Sequence, residues 1–126
     1  MNADVHSDPT TRSQTKDILY RSCYGQSTVC LNSGGFRIDF GDMLLWVCHE
    51  RLRQLARKVN QLVNVSERTH NRAFSQQFLL CPPGSDGVPF AFLFDELLDL
   101  QALVNGSLAM TDLRDFLHDH QLRVHD

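Results

Sequence analysis

Between Phe36 and Val63 the hydrophobic period of the chain switches once, from two to 3.6, and that switch dictates a β-hairpin feeding a helix. Phe36-Arg37-Ile38-Asp39-Phe40 alternates apolar and polar residues, Gly41-Asp42 supplies a two-residue turn, and Met43 to Cys48 is apolar. A two-residue turn fixes the register, so Phe40 should face Met43, Ile38 should face Leu45 and Phe36 should face Val47. Those six side chains then share one face. The other face receives Arg37, Asp39, Leu44, Trp46 and Cys48. From His49 to Val63 the apolar positions Leu52, Leu55, Ala56, Val59, Leu62 and Val63 form a helical stripe, with Arg, Lys and Gln opposite.

The pattern recurs 45 residues later. Laid over Val88 to Ala109, the segment Met43 to Asn64 places Leu52, Leu55, Val59 and Asn60 on Leu97, Leu100, Val104 and Asn105. Phe78 to Cys81 and Phe90 to Leu93 read as a second hairpin around the loop Pro82 to Gly87. Asp95 and Glu96 open a second helix where its dipole favours acids. Gly106 either sits inside this helix or ends it, and Thr111 is a candidate cap for a short last helix carrying Leu113, Phe116 and Leu117 on one side.

Upstream, Ile18 to Tyr24 and Ser27 to Leu31 are β-rich runs around Gly25-Gln26, a pair suited to a hairpin turn. In that register Cys23 faces Thr28, and Cys30 lies diagonally about 7–8 Å away. Residues 1–16 are polar and aperiodic and are expected to form a disordered tail, 17–121 a single domain, and 122–126 a frayed end. The fold class expected is α+β: an antiparallel sheet of β-hairpins shared by both hairpin-helix units, two amphipathic helices on one face, a possible ββα duplication and a short C-terminal helix.

A chain of 126 residues can bury a core without staples. No apolar run reaches membrane-spanning length, and the opening residues lack the apolar centre of a secretory signal, so no membrane is implied and a cytoplasmic location is expected. The four cysteines then read as thiols. Charge is uneven. Residues 49–72 carry six Arg or Lys against two acids, whereas 73–126 carry eight acids against two Arg.

Residues of these kinds could carry four chemistries. Cys23, Cys30, Cys48 and His49 could serve a metal- or thiol-dependent protein, but no C-x-x-C spacing occurs, and among His118, His120 and His125 the first two, two apart, point to different faces of a helix. Cys48 next to His49 at a helix start suggests a nucleophile with its base, yet adjacent residues diverge there and no orienting group follows. Arg51, Arg53, Arg57 and Lys58 make the helix 49–63 basic, a weak nucleic-acid footprint in a chain of pI near 6.0. No cofactor motif is present, and the balance is against an enzyme. The sheet face opposite the core is the most functional feature: Leu44, Trp46, Ala91 and Leu93 would form an apolar patch that monomers rarely leave open. The sequence therefore points to a small protein-interaction or regulatory protein, partnered by another protein or by a second copy.

Overall fold

The computed structural model describes residues 17–30, 34–68 and 76–125, with side chains up to His120. The tail expected over residues 1–16 lies outside them. The chain is α+β: β1 (Ile18–Arg21), β2 (Gly25–Cys30), β3 (Gly35–Phe40), β4 (Met43–Val47), α1 (His49–Arg68), β5 (Gln77–Leu80), β6 (Phe90–Leu93) and α2 (Phe94–His125).

The β3–β4 hairpin has the register its alternation requires, with Phe36 opposite Val47, Ile38 opposite Leu45 and Phe40 opposite Met43. All six are buried, and they join Leu52, Leu55, Val59, Leu97, Leu100 and Val104 of the helices in one core. α1 lies against β3 and β4, and α2 against β1 and β2. The helices run antiparallel. Asn60 of α1 accepts hydrogen bonds from Gln101 and Asn105 of α2 at 3.0 Å each, whereas His49, eleven residues earlier, lines a cavity with Thr111 and Arg114.

Three expectations need correction. First, the hairpin strands do not share one sheet: β1 to β4 form a four-stranded antiparallel sheet in sequence order, and β5 with β6 forms a separate two-stranded one. β6 runs into α2 without a linker, so the second hairpin is tied to the helix and docks by side chains. Phe92 meets Phe40 edge to face at 5.7 Å, and Phe78 meets Phe94 at 6.1 Å.

Second, the β1–β2 turn is Cys23-Tyr24, closed by the Ser22 amide donating to the Gly25 carbonyl at 2.9 Å. Thr28 therefore faces Ile18 and not Cys23. Gly25 enters β2 opposite Phe40, where a Cβ would run into the Asp39 carbonyl. The turn is held from a distance: the Asp99 carboxylate of α2 accepts the amides of Cys23 at 3.0 Å and Tyr24 at 2.9 Å. Partial burial pushes the Asp99 carboxyl up, but the Ser22 side chain and these two amides outweigh it and hold it below the usual carboxylate range. A depressed folded-state pKa contributes stability that is complete above the unfolded value of about 3.9 and is lost as pH falls through the folded one. Asp99→Ala should cost on the order of 1 kcal/mol at neutral pH, the low end for hydrogen bonds that water can replace. Urea midpoints at neutral pH and near pH 3 check it, because the difference between wild type and variant should shrink at the acid end.

Third, among the described residues the expected C-terminal helix is not separate but part of α2. α1 runs five residues beyond Val63, and α2 is continuous through Gly106 and Thr111. Thr111 is thus a buried mid-helix residue and not a cap. In β1 a register shift between Ile18 and Tyr20 lets Leu19 enter the core while the Tyr20 ring lies against Gly106. Ser27 and Ser107 meet at 2.6 Å beside that contact, and Ser107 also donates to the Leu103 carbonyl.

Candidate functional site

The outer face of the four-stranded sheet is built in cross-strand rows. Ile18, Thr28, Arg37 and Trp46 form one, and Gln26, Asp39 and Leu44 the next. Alternation in β4 sends Met43, Leu45 and Val47 inward and leaves Leu44 51% and Trp46 62% exposed. The Arg37 guanidinium lies 5.8 Å from the Trp46 ring centroid, and its Nε donates to Asp39 at 2.9 Å. A cation over an indole is worth about 0.5–1 kcal/mol at such a site and holds the ring in place. Trp46 is thus positioned without being covered.

β4 is also an edge strand, with no strand paired to its outer side among the described residues. Its five residues, MLLWV, include no charge and no proline, the usual devices that discourage a further strand from pairing. Ala91 and Leu93 are exposed as well, but on the second sheet, where Leu79 stands opposite Ala91 and is 65% exposed. The four residues expected to form one patch are thus divided between two sheets.

The thiols do not converge. β2 alone spans about 17 Å from Gly25 to Cys30 at 3.4 Å per residue, so Cys23, in the turn before it, and Cys30, at its far end, are not the 7–8 Å apart expected from the sequence. Cys48 and Cys81 are exposed. The His49 ring packs against Phe36 at 6.0 Å. Among the described residues no group of three or more His, Cys, Asp or Glu could hold a metal ion.

Arg51, Arg53, Arg57 and Lys58 are all exposed on α1. Lys58 donates to the Cys81 carbonyl at 3.0 Å, and the Arg51 guanidinium passes over Gly84, so two of the four brace the β5–β6 loop.

Two features escaped the sequence reading. A groove of about 330 Å³ opens between α1 and β5, lined by Lys58, Leu62, Val65 and Leu79. The other is the end of α2: every residue from Asp112 to His120 is exposed, including Leu113, Phe116 and Leu117. That stripe leaves Trp46 open. Among the described residues no helix is long and apolar enough to cross a membrane. Comparison of the chain with protein-family models, with curated proteins and with solved structures gave no match.

Proposed function

We propose that the protein is a non-enzymatic interaction module that receives another polypeptide on the outer face of its four-stranded sheet, with Trp46 as the anchor. The observation that carries this is the exposed indole, braced by Arg37, on an uncharged edge strand whose outer side is unpaired among the described residues. Tryptophan dominates binding energy where it can be fully desolvated, and an open edge offers main-chain hydrogen bonds to an incoming extended segment. Leu44 extends the apolar contact along the strand.

Trp46 is the single tryptophan of the chain, so its emission reports this face alone. Extended peptides selected from a random display library on the wild-type protein should shift that emission to the blue. They should lose at least about tenfold in affinity for Trp46→Ala, the loss expected of an anchor residue. Peptides that bind the variant as tightly and leave the indole emission unmoved would sink the reading, as would the failure of any peptide to enrich.

The duplicated ββα architecture is part of the same proposal. Asn60 and Asn105, 45 positions apart, hydrogen-bond each other across the two helices, as equivalent residues on a local two-fold axis would. The paired positions Leu52 and Leu97, Leu55 and Leu100, and Val59 and Val104 are all fully buried. Under this reading Trp46 and Ala91 are equivalent sites on two hairpins, of which one has kept a large anchor.

A further inference from the structure

The apolar face of α2 changes side along its length. At 100° per residue, the buried positions Leu97, Leu100, Leu103, Val104, Ser107 and Thr111 centre on one direction, and Leu113, Phe116 and Leu117 point roughly 150° away from it. The positions that would continue the buried face are Arg114, Asp115 and His118, all polar and exposed. The last turns of α2 are therefore no extension of the core. They make a second amphipathic helix on the same rod, with an apolar stripe aimed away from the body and Asp112 and Asp119 beside Phe116 on its flank.

Apart from His120, whose ring stacks on Phe116 at a centroid distance of 3.8 Å, nothing in the described chain covers that stripe, and the chain's own groove is out of reach. Thr111 lies level with His49 at the start of α1, whereas the groove lies at Lys58 to Val65, about 13–24 Å further along α1. The helices are antiparallel, so the end of α2 leads away from the groove. The two surfaces nevertheless match in chemistry. Leu62, Val65 and Leu79 give the groove an apolar floor, Lys58 stands on its rim, and Arg57 is one helical turn from its lining residue Gln61. The stripe is apolar and its flank acidic.

We propose that a second copy of this chain occupies the groove: the projecting end of α2 from each copy, residues 112–120, seats Leu113, Phe116 and Leu117 between α1 and β5 of the other. A specific interface buries roughly 1,200–2,000 Å² in total, more than one short helix end supplies, and a two-fold arrangement doubles the contact. The opposed charges steer the docking, which weakens as salt rises. This goes beyond the sheet-face reading and uses a different surface.

Light scattering coupled to gel filtration tests it with four proteins: wild type, Phe116→Asp, Leu79→Asp and Trp46→Ala. Both aspartates replace exposed side chains, so each chain should remain folded by circular dichroism. The wild type should be a dimer at high-micromolar concentration. Phe116→Asp and Leu79→Asp should each raise the dissociation constant at least about tenfold, and Trp46→Ala should leave it unchanged. A monomeric wild type overturns the proposal. So does a dimer lost with Phe116→Asp but indifferent to Leu79→Asp, since the stripes would then be packing on each other. A dimer dissolved only by Trp46→Ala also overturns it, while leaving the sheet face as the interface.

Discussion

Truncating Ile38 to Ala is expected to lower the free energy of unfolding by about 2–5 kcal/mol, a large part of the roughly 5–15 kcal/mol that holds a domain of this kind together. Ile38 is fully buried in the middle of the β3–β4 hairpin, between Phe36 and Phe40 on its own strand and opposite Leu45. The side chain removed leaves a cavity that surrounding rings cannot fill without leaving their rotamers, so the loss combines transfer and cavity terms. The neighbouring strand offers an internal comparison. Leu44→Ala removes a side chain of similar size from the opposite face, where half its surface is already in water, and should change stability by less than about 0.5 kcal/mol. Denaturant midpoints for the two variants measured side by side check both numbers. Equal losses would mean that the two faces had been exchanged by a one-residue slip in register.

That hairpin was legible in the sequence because everything that fixes it is local: five alternating residues, a two-residue turn, and an apolar run of matching length. α1 was legible for the same reason. Its stripe of Leu52, Leu55, Val59 and Val63 is strictly periodic, and only its end was misplaced, because residues 64–68 are mostly polar and continue as helix with Val65 exposed. What was not legible depended on distant partners. Gly25-Gln26 has the composition of a turn, yet the chain turns at Cys23-Tyr24 because Asp99, 75 and 76 residues further along the chain, captures those two amides. The Thr111 cap failed likewise: its side chain is buried against the body, and the helix passes through it. Of the candidate site, the exposure of Leu44 and Trp46 followed from alternation alone, whereas the separation of Ala91 and Leu93 onto another sheet depended on how β6 docks. The stripe of Leu113, Phe116 and Leu117 was visible as a spacing. Its rotation from Leu97, Leu100 and Val104 could have been read from the same numbers had the helix been taken as continuous.

Gly106 was the residue most easily misread, and it carries the second large effect. In an exposed helix interior Gly→Ala gains about 1 kcal/mol from propensity. Here a Cβ on Gly106 would enter the Tyr20 ring, so Gly106→Ala forces either that ring or α2 away from the sheet. The adjacent Ser27–Ser107 hydrogen bond at 2.6 Å resists such a shift. Overpacking of this kind costs about 1–3 kcal/mol, so the substitution should be net destabilising in the wild-type chain despite the better helix former. Removing the obstruction reverses the sign. In a Tyr20→Ala background, itself less stable because a half-buried ring has gone, adding Gly106→Ala should be neutral or should stabilise by up to about 1 kcal/mol. The interaction energy between the two changes is then about 1–3 kcal/mol, within the range for residues in direct contact and above the few tenths seen for distant ones. Thermal or urea unfolding of the four proteins in the cycle measures it. If Gly106→Ala stabilises the wild type as much as the Tyr20→Ala chain, then Tyr20 does not lie over Gly106 and α2 does not cross β1 at that point.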